Sequence, residues 1–280
     1  MKKYFALFLV LIVSQVAFAQ NGDVNGDGTV TSADVTCLYS YLLNGDESYL
    51  ATSDVDGDGY ITVGDITSIY NILLGLPNHE FVDLGLPSGT LWATMNVGAN
   101  SPEEYGDYFA WGETTPKDFY DWSTYQWCMG SRSSFTKYCT DSSLGYNGFV
   151  DNETELDPED DAATANWGEM WRMPSDDQLY ELKDVCIWQW TMRNGVNGYL
   201  VTSNHNGASL FLPAAGFHWN GGLSNAGTGG FYWSRTLYSG NSGTRPYNAY
   251  SLYFYSYGVF FDFNYRSDGR SVRAVRVSQN

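Results

Sequence analysis

Two stretches early in the chain carry oxygen-bearing side chains at a spacing that can wrap a cation. Asp23-Val24-Asn25-Gly26-Asp27-Gly28 recurs as Asp54-Val55-Asp56-Gly57-Asp58-Gly59, and Asp34 recurs as Asp65. Side-chain oxygens at loop positions 1, 3, 5 and 12, a glycine at 6 and a main-chain carbonyl at 7 are what a Ca²⁺ ion needs from a twelve-residue loop. The ligand sets are Asp23, Asn25, Asp27, Thr29 and Asp34, then Asp54, Asp56, Asp58, Tyr60 and Asp65. From Gln20 to His79 there is no Lys or Arg but there are nine carboxylates. Carboxylates crowded into one turn without a basic neighbour repel one another unless a cation sits among them. The expectation is two bound Ca²⁺ ions.

Each loop is followed by an apolar rhythm of helical period. Val35, Leu38, Leu42 and Leu43 match Ile66, Ile69, Leu73 and Leu74 as one stripe of an amphipathic helix, with Asn44-Gly45 and Gly75 as stops. Loops and helices together resemble the type I dockerin family over nearly all of residues 21–76. That resemblance implies docking onto a cohesin domain through loop positions 10 and 11. These are Ser32-Ala33, near a familiar type, and Val63-Gly64, which departs from it.

A second chemistry lies near the other end, between Gly229 and Val277. Tyr247, Tyr250, Tyr253, Tyr255, Tyr257 and Tyr265 are interleaved with Phe254, Phe260, Phe261 and Phe263. Strand side chains alternate between faces, so one strand cannot bury them all. Leu252 and Phe254 are expected to face the core, which turns Tyr253 and Tyr255 outward, with Tyr257 continuing that side. Tyr238 and Tyr265 fall in Gly/Ser/Asn-rich turns, and Asp262 avoids the core on charge grounds. Tyr238, Tyr253, Tyr255, Tyr257, Asp262 and Tyr265 are the expected ligand contacts. Tyrosines beside Asn and Ser give large contact area at low entropy cost. The flanks, Gly-Gly-Phe-Tyr-Trp-Ser (229–234) and Gly-Arg-Ser-Val-Arg-Ala-Val (269–275), read as scaffold, with Val272, Arg273 and Ala274 forming a half-buried strand.

The scaffold motifs recur in order through the rest of the chain. Gly-Leu-Pro-Ser-Gly-Thr-Leu-Trp-Ala (85–93) reads as strand, turn, strand, and Ser175-Asp176-Asp177-Gln178 as a capping box opening a helix with stripe Leu179, Leu182, Val185 and Cys186. Trp188 to Met192 alternates as a strand, Asn194-Gly195 and Asn197-Gly198 are turn dipeptides, and Tyr199–Val201 and Ser209–Leu212 are strands. With Trp-Arg-Met-Pro (171–174), Phe-Leu-Pro-Ala-Ala-Gly (211–216), Tyr-Trp-Ser (232–234) and Ser-Val-Arg-Ala-Val (271–275), residues 80–277 resemble the Fibrobacter succinogenes major paralogous domain family. That family is similar to C-type lectin-like folds, including formylglycine-generating enzymes and ligand-binding proteins diversified by retroelements. The resemblance implies a fixed frame holding changeable exposed residues.

The expected organisation is α+β: a cleaved signal peptide (1–19), a two-helix calcium-loop domain (20–76), a linker (77–80) and a C-type lectin-like mixed domain (81–280). Lys2-Lys3, the apolar run from Phe5 to Val13 and Ala17-Phe18-Ala19 carry the export signal, and no run is long enough to span a membrane. A net charge of −18 argues against nucleic acid as a partner. Cys128 and Cys139, separated by a polar loop, are the expected disulfide; Cys37 and Cys186 read as buried thiols.

No catalytic constellation emerges. No Cys follows Cys186, so formylglycine-generating chemistry is absent, and His79, His205 and His218 are the only histidines. The acidic run at 151–161 selects no glycosidase pair; around 156–163 it reads as a metal site, a partner for Arg172 or a helix cap. The Glu-Pro-Asn and Trp-Asn-Asp patterns of lectin calcium sites are missing. The leading expectation is a secreted or cell-surface binding or adhesion protein, its C-terminal ligand a protein or glycan. The alternatives are a dockerin-borne carbohydrate-active enzyme component and a structural surface protein.

Overall fold

The computed structural model describes residues 22–45, 53–55, 61–75, 79–238 and 245–277. The segment expected to be a signal peptide, and the calcium ligands Asp56, Asp58 and Tyr60, lie outside the described residues. The chain divides into two compact units, Met1–Asn78 and His79–Asn280.

The first unit pairs helices α1 (Ser32–Asn44) and α2 (Val63–Leu73). Each starts in the same way. Thr31 and Thr62 are N-caps, and Asp34 and Asp65 at N3 complete capping boxes by accepting the N-cap N–H at 2.7 Å in both cases. Val35, Leu38, Ile66 and Ile69 bury against Val24 and Val55. The expected stripe fails at its end, where Leu43 and Leu74 are 79% and 70% exposed. Leu43 directly follows Leu42, which leans on this core, and one residue turns a helix by about 100°; in the second helix the inward position is Ile72, and Leu73 is exposed with Leu74.

Among the described residues the second unit holds three three-stranded antiparallel sheets and a hairpin. The first sheet, in order β1-β2-β11, joins β1 (Phe81–Asp83) and β2 (Thr90–Ala93) to β11 (Val275–Val277). The helices are α3 (Ala162–Trp167) and α4 (Asp176–Val185), the latter opened by the Ser175–Gln178 capping box. The second sheet is β3 (Cys186–Arg193), β4 (Val196–Ser203) and β5 (Ser209–Pro213). The hairpin is β6 (Phe217–Trp219) with β7 (Gly222–Ser224). The third sheet has β9 (Asn248–Tyr255) between β8 (Gly229–Leu237) and β10 (Gly258–Tyr265).

Asn194-Gly195 makes the β3–β4 turn, both residues at positive φ (50° and 83°). Asn197-Gly198, expected as a second turn, instead lies inside β4, paired with β3. The glycine serves close approach: a Cβ there would sit 2.3 Å from the Leu212 carbonyl oxygen. Gly230 has a related role on β8, where a Cβ would lie 2.2 Å from the Phe254 ring. One core lies under α4 and unites Trp92, Leu182, Val201, Leu212, Tyr232, Leu252 and Phe254. A second gathers Phe109, Trp111, Tyr138, Trp171, Trp233 and Val272.

Segment 266–276 differs most from expectation. Val272, Arg273 and Ala274 are all buried, on both faces of the chain. Arg273, 1% exposed, donates to the Asn96 side chain and to the carbonyls of Ala93 and Phe211, each at 3.0 Å. Arg266, fully buried, donates to the carbonyls of Tyr138 (2.9 Å), Pro246 (2.6 Å) and Lys137 (3.2 Å) and to the Tyr125 hydroxyl (2.8 Å). A guanidinium is tolerated inside because its forked donors meet fixed acceptors. Burial still draws the Arg273 pKa down to about 10.

The expected Cys128–Cys139 disulfide is not formed, and none of the four cysteines is in a disulfide. The two sulfurs turn to different carbonyls, Cys128 to Trp122 O and Cys139 to Asp141 O, each at 3.2 Å. In the acidic run, Asp160 meets the Lys137 ammonium (2.6 Å) and the Tyr138 hydroxyl. Asp161 caps α3 and accepts the Met173 N–H at 2.8 Å. Of the roles open around 156–163, the structure realises capping; the cation in the ion pairs there is Lys137 and not the expected Arg172.

Candidate functional site

Loop one is organised by its own acidic side chains. Gly26 and Gly28 take positive φ (71° and 90°), which only glycine adopts cheaply, and the chain curls over Asp23. The Asp23 carboxylate accepts the N–H groups of Asp27 (3.0 Å) and Gly28 (2.9 Å), and the Asn25 amide oxygen accepts Asp27 N–H at 2.9 Å. Asp27 accepts the N–H and hydroxyl of Thr29, and these bonds hold its carboxyl below the ordinary pKa. Asp34 is fully buried and ties the loop to its helix through the Asn25 N–H at 3.0 Å. Asp65 does the same in loop two through the Val55 N–H at 2.7 Å.

These residues fit a hard cation. Asp23 and Asp34 are 3% and 0% exposed in a stretch with no Lys or Arg, so their charge has no internal counter-ion. Among the described residues no three His, Cys, Asp or Glu side chains gather as a metal cage. A cation at loop one therefore draws also on the Asn25 amide and main-chain oxygen.

The second candidate site is built on the sheet of β8, β9 and β10. Paired residues share a face, and the register sets Phe231 opposite Tyr253, Trp233 opposite Ser251, Phe260 opposite Tyr253 and Asp262 opposite Ser251. Leu252 and Phe254 are 0% exposed on the opposite face, while Tyr253 and Tyr255 are half-buried. Over this face opens a cavity of about 370 Å³, lined in part by Tyr253, Tyr255, Asp262, Tyr265, Trp219 and Arg270.

The structure thus brings together four of the six expected contacts: Tyr253, Tyr255, Asp262 and Tyr265. It leaves out two. Tyr257 is 76% exposed and stacks flat on Tyr255 at 5.3 Å, past the end of β9, so it does not line the cavity. Tyr238 packs on Phe263 (4.1 Å) and Tyr250 (5.2 Å), held by its neighbours rather than by the cavity.

Sequence reasoning missed the cavity floor. Arg270 is 2% exposed, its guanidinium 5.3 Å from the ring of Phe217, 5.2 Å from Phe231 and 4.8 Å from Trp233. It reaches Asp268 and the Ser251 hydroxyl only at 3.4 Å, leaving Arg270 Nε and Asp268 Oδ1 without a hydrogen bond. Burial lowers the Arg270 pKa and raises that of Asp268, and the pair's mutual attraction opposes both shifts. Asn225 reaches the Tyr255 hydroxyl at 3.3 Å, and Asn264 holds Ser251 at 2.8 Å. The Phe217-His218-Trp219 alternation was the available sequence signal; only tertiary pairing places it here.

Residues 21–74 match the family model of the dockerin type I domain, and calcium binding is implied by that domain. No curated protein matches the chain. No solved structure matches it.

Proposed function

We propose that this chain is a secreted, cohesin-docked binding protein, with two Ca²⁺ ions stiffening its dockerin and a ligand held in the aromatic cavity of its second unit. A C-type lectin-like architecture for that unit, with changeable residues on a fixed frame, belongs to the same proposal. The observation that carries it is the cavity itself, in which Tyr253, Tyr255 and Trp219 form an aromatic wall beside Asp262, Asn225 and Asn264. Recognition sites combine apolar walls with a few polar groups that fix orientation. In the dockerin, Ser32, Ala33 and Val63 are exposed and open to a cohesin, whereas Gly64 is buried. The test is a glycan and protein array probed with the full chain in Ca²⁺, beside Tyr253→Ala and Tyr255→Ala. Loss of the bound spots in the variants supports the proposal; identical patterns refute it.

One observation favours a second reading, a carbohydrate-active enzyme. The cavity holds two carboxylates in different environments, exposed Asp262 and buried Asp268, and glycosidases use such unlike pairs. The Arg270 contact argues for Asp268 as a structural anion. Release of reducing ends from polysaccharides, abolished by Asp262→Asn, would establish the enzyme.

A further inference from the structure

A second hollow of about 230 Å³ shares Phe263, Asn264 and Tyr265 with the first cavity and is otherwise lined by Arg132, Arg245, Tyr247 and Asn248. Arg132 stands 5.9 Å from the Tyr247 ring centre and Arg245 5.4 Å from that of Phe263, so each guanidinium has an aromatic platform. Among the described residues neither has an ion-pair partner, and segment 239–244 contains no Asp or Glu that could supply one.

On a chain of net charge −18, two arginines with no ion-pair partner among the described residues, beside an aromatic cavity, call for an explanation. Resting on the binding reading above, we infer that the two hollows form one groove that takes an anionic saccharide, a sugar ring meeting the aromatic wall at Tyr253 and Tyr255 and a carboxylate or sulfate meeting Arg132 and Arg245. The polarity of the groove sets this order. Asp262 lines the first cavity and disfavours an anion there, and Asp268 is already opposed by Arg270. The side-chain amides of Asn225 and Asn264 and the tyrosine hydroxyls both donate and accept, which suits the hydroxyls of a sugar. Arginine forks suit the planar or tetrahedral oxyanion at the far end.

Titration of the full chain in Ca²⁺ with oligogalacturonate, a chondroitin sulfate oligosaccharide and a neutral cello-oligosaccharide of matched length tests this. At least one anionic ligand should bind about tenfold more tightly than the neutral one, an advantage shrinking as NaCl rises. Arg132→Gln with Arg245→Gln should bring the anionic-to-neutral ratio to about one, with thermal melts checking the fold. Which anionic arm binds separates carboxylate from sulfate. Equal affinity for neutral and anionic ligands, or a ratio unchanged in the arginine variants, overturns the anionic inference and leaves the binding reading standing. Absence of binding to all three, or binding indifferent to Tyr255→Ala, overturns the cavity reading and this inference with it.

Discussion

Tyr253 and Phe254 are neighbours in sequence and opposites in energetics. Phe254 packs against Trp188, Trp190, Tyr199 and Tyr232, so Phe254→Ala should cost about 3–5 kcal/mol and Leu252→Ala about 2–5 in thermal or denaturant unfolding. Tyr257→Ala, on a 76% exposed side chain, should change stability by no more than about 0.5 kcal/mol. His79 is a further residue whose surroundings decide its behaviour. It stacks on Trp167 at 3.6 Å, its Nε2 makes no hydrogen bond, and burial draws its pKa from 6.5 to about 4. The unfolded chain therefore binds the proton first. Stability should fall as pH drops through 6.5 and level off below about 4. Melts from pH 7.5 to 4 should show a shallower slope for His79→Phe; an unchanged slope would assign the pH dependence to other groups. The alternation at 252–255 could be read from the sequence because strand period and hydrophobicity agree there. Arg266, Arg270 and Arg273 could not, because residue type predicts exposure and only tertiary packing overrules it.

At the scale of elements, local chemistry was easiest to read where a single short motif sets a boundary. The Ser175 capping box and the Asn194-Gly195 turn are of this kind. Glycines were harder, since a turn and a close approach use the same residue. Asn197-Gly198 has the letters of a turn, and the strand across from it is what requires the glycine. Gly230→Ala makes that demand measurable. A methyl 2.2 Å from the Phe254 ring must displace β8 or the ring, costing about 1–3 kcal/mol in chemical denaturation, whereas Gly195→Ala meets no neighbouring atom and carries only the backbone strain of an alanine at φ 83°. Asp34 and Asp65 were read only as cation ligands, yet each also anchors a helix start. Asp34→Ala should therefore lower helicity by circular dichroism even in chelator, and Asp27→Ala only when calcium is present.

For the molecule as a whole, each unit is stabilised by different means. The dockerin has a small core of Val24, Val35, Leu38, Val55, Ile66 and Ile69, and a unit of that size is marginal alone. With a site affinity of ~10 μM, ~1 mM Ca²⁺ would add roughly 2.7 kcal/mol per site. Calorimetry of the full chain should show a transition that chelator lowers and that Asp27→Ala and Asp58→Ala each lower partway. A thermogram indifferent to chelator would contradict this. The second unit relies instead on interlocked aromatic cores, and its cavity draws on β6, β8, β9, β10 and the segment after them, so no local window of sequence could have outlined it. That last segment also sets a schedule. Arg266, Arg270 and Arg273 and strand β11 fill the interior left by residues that precede them by well over a hundred positions, such as Ala93, Asn96 and Tyr125. A ribosome delivers those acceptors first and their partners last. Until residues 266–276 emerge, the second unit has no finished centre to collapse around. The dockerin, made of local contacts, waits for none of these residues and is free to close as soon as it meets calcium.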